Sequence, residues 1–358
     1  MVDRVMVIAE AGVNHNGSLE LACRLVDVAA KAGADAVKFQ TFKAELLVTR
    51  RAEKAAYQVA NTGQAGDQLG MLRAFELSPK DHELLAARCR ARGIKFMSTA
   101  FDMDSLAFLD QFDMPAVKIP SGDLTHGPML LAASRLGRPL VVSTGMATLG
   151  EIDEALAVIA FGLTREGVPR SRADLEAARH SAEGQAALER SITLLHCTTQ
   201  YPAPPEAVNL RAMQTMAQAF GLRVGYSDHT LGTAVPVAAV ALGATVIEKH
   251  FTLDRGMEGP DHSASLEPHE LEAMVSDIRR VEAAMGSQLK APHPVEIPNR
   301  AIARRSLVAA CAVKAGTAFT YDCLTAKRPA DGLSPMLIWE VIGRKAQRDF
   351  DPDEAIEL

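Results

Sequence analysis

Short apolar runs alternate along the chain with longer stretches in which apolar residues recur every three or four positions. The runs Val5–Ala9, Ala36–Phe39, Lys95–Ser98, Ala116–Ile119, Leu140–Val142, Ile192–Leu195, Leu222–Gly225 and Thr245–Glu248 read as buried strands. Helical spacing covers Leu19–Ala32, closed by Gly33, and recurs around 80–92, 104–111, 127–135, 149–161, 207–219, 232–242 and 268–285. Strands that alternate with helices predict parallel pairing through crossovers. Eight such units in about 250 residues fit a (β/α)8 TIM barrel, with a doubly wound open sheet as the alternative.

In a barrel of this kind the chemistry sits at the C-terminal ends of the strands. The residues there are densely polar: Glu10, Asn14, His15 and Asn16 after the first run, then Lys38 and Gln40, then Ser98 and Thr99. Lys118 and Ser121 follow the fourth run, and Ser143 and Thr144 the fifth. His196, Thr198, Thr199 and Tyr201 follow the sixth, Ser227, Asp228 and His229 the seventh, and Glu248, Lys249 and His250 the eighth. A barrel would gather these distant sets around one mouth.

Two segments fall outside the repeating pattern. The charged, Ala-rich stretch 163–191 reads as a surface excursion before the sixth strand. The Pro-rich stretch 287–300 reads as a linker, which makes residues 1–286 the barrel and 301–358 a small β-rich domain. With 358 residues and a net charge of −6, no broad basic surface for nucleic acid is expected. No apolar run is long enough for a membrane span, and the N-terminal run is too short for a signal peptide. Five scattered cysteines without a CxxC pair predict reduced thiols in a cytoplasmic protein.

Several residues carry candidate chemistry. Lys38, Lys118, Ser121, Ser143 and Ser227 offer positive charge and hydroxyl donors for a phosphate and a carboxylate. SGD at 121–123 and STG at 143–145 place glycine where backbone N–H groups approach an anion, although each alone is more often a turn than a site. His229 and His250 could hold a divalent metal at adjacent strand ends, with Asp228 and Glu248 orienting the rings; a lone buried histidine is more often a structural hydrogen-bond partner. The same bland reading covers His15, His196 and His262. Glu10 is a general acid/base or a rim salt bridge to Lys38 or Lys118.

The stretches AEAGVNHNGS, AGADAVKFQTFKAELL, MSTAFD, KIPSGDLTHGPML, VVSTGMATLGEI, LLHCTTQYPAPPEAVNL, VGYSDHTLG, ALGATVIEKHFTLDRGMEGPDHSASLEP and KRPADGLSP together resemble the sialic acid synthase family. That family includes N-acetylneuraminate and N,N'-diacetyllegionaminate synthases. The resemblance implies a TIM barrel with a C-terminal SAF (antifreeze-like) domain, exchanged across a domain-swapped homodimer. It implies condensation of phosphoenolpyruvate with an N-acylated hexose, either N-acetylmannosamine or 2,4-diacetamido-2,4,6-trideoxymannose, with release of phosphate. It implies that His229 and His250 hold Mn²⁺, with Mg²⁺ or Co²⁺ as alternatives. Lys38, Thr99, Lys118, Ser121, Ser143 and Ser227 match the phosphoenolpyruvate cradle, and Glu10 the acid/base group. Gln40, Tyr201 and Asp261 match sugar contacts, and Arg328 a residue reaching the partner's site. Ala100, Asp123, Thr198 and Thr199 depart from the common pattern. A Schiff-base lyase using Lys118 and a non-catalytic sugar-binding barrel are the competing readings.

Overall fold

A computed structural model describes residues 4–62 and 67–358. Contacts divide the chain at Gly286 and Ser287 into two compact units. The first contains eight strands: β1 (Met6–Gly12), β2 (Ala36–Thr41), β3 (Lys95–Ala100), β4 (Val117–Ile119), β5 (Leu140–Ser143), β6 (Ile192–Cys197), β7 (Arg223–Asp228) and β8 (Val246–His250). They are parallel, each pairs with the next, and β8 closes on β1, so the sheet is a barrel rather than an open sheet.

Capping explains where the helices begin. Ser18 Oγ accepts from Leu21 N ahead of Leu19–Lys31, whose Ala22, Leu25, Val26 and Ala29 face the barrel wall. Ser78 and Asp81 form a reciprocal capping box before Pro79–Arg92, which ends on Gly93 at φ +71°. Fully burying a leucine such as Leu25 or Leu85 contributes about 2 kcal/mol, and these side chains fill the layer between helices and sheet.

The inside of the barrel decides where the site lies. Ile8, Ala36, Met97, Ala116, Val141, Leu195 and Val246 pack there as one apolar floor, six from strands and Ala116 from the position just before β4. The remaining strand, β7, places Gly225 in that layer, where an added Cβ would lie 2.4 Å from Val246 O and 2.6 Å from Leu195 Cδ2. Because side chains on a strand alternate faces, the next inward residue lies two positions on. Those positions are Glu10, Lys38, Thr99, Lys118, Ser143, Cys197, Ser227 and Glu248. A dry floor is thus covered by a polar layer with two carboxyls and two lysines.

The excursion before β6 forms two helices, Arg172–His180 and Ala182–Ser191, packed on Leu149–Thr164. Three short helices between β2 and β3, Ala44–Leu47, Ala56–Thr62 and Gln68–Arg73, are too short to show a period in the sequence. In the second unit, β9 (Ser306–Ala309) pairs antiparallel with β10 (Leu324–Lys327) over a core that includes Leu307, Phe319, Val341 and Phe350. A short helix, Ile297–Ala303, runs from the end of the Pro-rich stretch across the boundary drawn at residue 301. No helix among the described residues is long and apolar enough to cross a membrane.

Candidate active site at the mouth of the barrel

A cavity of about 520 Å³ opens above the polar layer. It is lined by Glu10, Lys38, Gln40, Thr99, Lys118, Ser121, Ser143, Tyr201, Ser227, His229, His250 and Asp261, all singled out in the sequence. Arg328 lies in the second unit, exposed, directly after β10.

Charge at the centre of the mouth is arranged in pairs. Lys38 Nζ lies 2.6 Å from Glu10 Oε2, 3.6 Å from Glu248 Oε2 and 2.9 Å from Thr99 Oγ1. Lys118 Nζ lies 3.3 Å from Glu248 Oε1, which also accepts from Ser227 Oγ at 3.0 Å. Burial pushes Glu10 up to about 7, with Lys38 opposing and Glu248 adding to the rise. Burial also acts upward on Glu248, but Lys118, Lys38 and the Ser227 hydroxyl outweigh it and hold it down at about 2. The two carboxyls therefore divide their roles: Glu248 stays a counter-ion to both lysines, while Glu10 exchanges its proton near neutrality.

Beside this cluster, Ser121 Oγ accepts from Gly145 N at 3.0 Å and lies 3.0 Å from Cys197 Sγ. The buried hydroxyls of Ser143 and Thr199 make no hydrogen bond among the described residues. Buried polar groups without partners are costly, so an incoming oxyanion would satisfy them. Burial pushes the Cys197 thiol up, so it remains a neutral wall of the cradle.

His229 and His250 face each other with ring centroids 5.6 Å apart, and the Tyr201 ring lies 4.0 Å from that of His229. His229 Nδ1 donates to the Thr198 carbonyl at 2.6 Å, which leaves Nε2 with its lone pair. Burial holds His229 down at about 4 and His250 well below its usual range, so both imidazoles are neutral at pH 7. His250 Nδ1 is buried without a hydrogen bond and lies 4.0 Å from Asp261 Oδ2. No cluster of three or more His, Cys, Asp or Glu side chains able to hold an ion occurs among the described residues. Two imidazoles therefore fit an ion that keeps several water or substrate oxygens, rather than a closed tetrahedral site. The ring-orienting acceptor is the Thr198 carbonyl and not Asp228, which faces the other side of the wall and pairs with Lys249.

Space for the imidazole of His250 comes from a bulge. The β1–β2 register shifts between Glu10 and Gly12, and Gly12 sits at φ +51°. An added Cβ there would lie 3.2 Å from His250 Cε1. Leu47, Val48, Met71, Leu72 and Phe75 form an apolar wall of the cavity. That wall went unread in the sequence because it comes from the short helices after β2. Cys197 escaped notice as a site residue, and Glu248 was read only as a ring-orienting group. Counting two residues on from the apolar floor on each strand would have found both.

His15, His196 and His262 lie outside the cavity. His196 Nε2 meets the Val208 carbonyl at 2.6 Å, His262 Nδ1 meets Thr252 Oγ1 at 2.7 Å, and His15 Nδ1 accepts from Gly17 N.

Residues 25–290 match the NeuB family and residues 304–357 match the SAF domain. The N,N'-diacetyllegionaminic acid synthase of Campylobacter jejuni is 46% identical over 353 residues, 99% of this chain and 99% of that protein. The enzyme of the same name from Legionella pneumophila is 44% identical over 95% of this chain and 89% of its own length. Among solved structures, the N-acetylneuraminic acid (sialic acid) synthetase of Leptospira borgpetersenii in complex with citrate superimposes with a TM-score of 0.68 at 31% identity. That match covers 83% of this chain and 90% of the other.

Proposed function

The chain belongs to the NeuB family and carries a SAF domain, and from that premise we propose that it condenses phosphoenolpyruvate with an N-acylated hexose to a nonulosonic acid. The observation that carries this reading is the convergence in one cavity of two lysines, a row of hydroxyls, a titratable carboxyl and two neutral imidazoles.

Lys38, Lys118, Ser121, Ser143 and Ser227 hold the phosphate and carboxylate of phosphoenolpyruvate, fixing its methylene carbon toward the acceptor. Gln40, Tyr201 and Asp261 hold the open-chain sugar. His229 and His250 would hold a divalent cation, which we take to be Mn²⁺, and it would supply Lewis-acid polarisation of the sugar aldehyde. The methylene carbon attacks the aldehyde carbon, and the new C–C bond leaves positive charge on the enol carbon. The carboxylate of Glu248 lies within this layer and offsets that charge. Water adds to the enol carbon and loses a proton, the aldehyde oxygen gains one, and the C–O bond to phosphate breaks to leave the keto acid. Glu10, with its proton exchanging near neutrality, mediates these transfers.

For the acceptor we favour 2,4-diacetamido-2,4,6-trideoxymannose over N-acetylmannosamine. Its extra acetyl methyl and its 6-methyl suit the wall of Leu47, Val48, Met71, Leu72 and Phe75, and the two relatives at 44–46% identity carry the legionaminic name. We further propose a cytoplasmic homodimer in which the SAF domain of one protomer brings Arg328 to the other's site.

A phosphate-release assay tests the reading. Release is expected only with both substrates present, is lost on chelation, and proceeds with a higher kcat/KM for the trideoxy sugar. Chelator-resistant turnover trapped by borohydride would instead indicate a Schiff base on Lys118.

A further inference from the structure

The helix-facing side of the barrel wall carries a charged pair that takes no part in lining the cavity. Asp228 on β7 and Lys249 on β8 stand opposite each other in register, and both are fully buried. Lys249 Nζ lies 2.5 Å from Asp228 Oδ2 and also donates to the Thr230 carbonyl. The Asp228 carboxylate accepts three more hydrogen bonds, from Tyr226 Oη at 3.0 Å, Thr230 N at 3.0 Å and Thr230 Oγ1 at 3.1 Å. The network therefore ties the end of β7, and the turn after it, to the end of β8.

A buried ion pair is a poor source of stability, because desolvating both charges offsets most of their attraction. Its place beside the cavity lining, but turned away from the cavity, points to geometry instead. The residues that follow the pair, His229 and His250, project to the opposite face of the wall and line the cavity. His229 is held by its own bond to the Thr198 carbonyl. His250 has no hydrogen bond at Nδ1; Asp261 Oδ2 lies 4.0 Å from that atom, and the rings of Tyr201 and His229 each lie 5.6 Å away. Its placement must come from the backbone of β8, and the side chain anchoring that backbone next to it is Lys249.

We propose that the Asp228–Lys249 pair is a positioning device that sets the separation of the His229 and His250 imidazoles, and through it the affinity of the mouth for a divalent cation. This rests on the reading of the two rings as cation ligands. Lys249 and Asp228 touch no reacting atom and act through the strand ends.

The test is a titration of Mn²⁺ alone into the full-length protein, free ion being followed by electron paramagnetic resonance, with thermal unfolding measured in parallel. The proteins compared are the unaltered chain, H250A, K249M and the double variant D228N/K249M, which removes both charges together. Expected are binding by the unaltered chain, loss in H250A, and an affinity at least about tenfold weaker in K249M and in the double variant, with the double variant unfolding cooperatively near the normal temperature. Normal Mn²⁺ affinity in a folded K249M or double variant, with H250A impaired, would overturn the positioning role alone. No binding by the unaltered chain, or normal binding by H250A, would overturn the ligand reading and this inference with it. Failure of both pair variants to fold would also overturn it, since the pair would then be a stability element.

Discussion

Lys38 Nζ lies 2.6 Å from Glu10 Oε2, and both side chains are buried where the substrate phosphate or carboxylate would have to enter. Below its pKa of about 7 Glu10 is neutral and leaves the Lys38 charge to the incoming anion; above it the carboxylate competes. The KM for phosphoenolpyruvate is therefore expected to rise between pH 6.5 and 8.5. Glu10→Gln should flatten that rise while lowering kcat by about 10²–10⁴. Steady-state kinetics across this range check it, and an unchanged KM slope in the variant would assign the titration elsewhere.

Gly145 leaves no room for a side chain. A Cβ there would lie 2.4 Å from Thr199 Oγ1 and 2.8 Å from both Cys197 Sγ and Ser121 Oγ, while its own N–H holds Ser121. Gly145→Ala is expected to displace the hydroxyls of the anion cradle and lower kcat/KM for phosphoenolpyruvate about 10²-fold, with the acceptor KM little altered. A full kinetic matrix for both substrates reads the difference.

The apolar wall after β2 makes a prediction about selectivity. Leu72→Asn places an amide where Leu72 lines the cavity with Met71 and Phe75. Loss of one apolar contact of this kind is worth about 1–3 kcal/mol, so the preference for the trideoxy acceptor over N-acetylmannosamine should fall about 10-fold or more. An unchanged kcat/KM ratio would mean that the wall does not meet the sugar.

The dimer proposal can be tested by mixing. Arg328→Ala and His250→Ala proteins should each be inactive with the acceptor. Unfolded together and refolded, they should regain activity, because mixed dimers contain one site with both residues intact. Continued inactivity of refolded, dimeric mixtures would place Arg328 and His250 of one site on the same chain.

How much of this was legible in the sequence follows from one rule of strand geometry. The apolar runs located all eight strands, and the polar residues after them located the mouth, because alternation forces Lys38 two positions beyond Ala36 and Lys118 two beyond Ala116. Strand ends were read short: β1 continues to Gly12 and β8 to His250, since backbone pairing persists where side chains turn polar. The helices from Ala44 to Arg73 were missed, being four to seven residues long and lacking a repeating apolar face. Lys249 was grouped with the mouth residues but turns to the other face of the wall, and its pairing with Asp228 had no signal because only the register of β7 on β8 sets the two together.

The central claim is that carbon–carbon bond formation at this mouth is followed by cleavage of the C–O bond of phosphoenolpyruvate. It is tested most directly with phosphoenolpyruvate carrying ¹⁸O in the bridging position, incubated with the acceptor sugar and Mn²⁺ and followed by phosphorus NMR of the released phosphate. Phosphate that forms in step with the sugar acid and retains the label is the predicted result. Phosphate without the label, or none when both substrates are present, would contradict it.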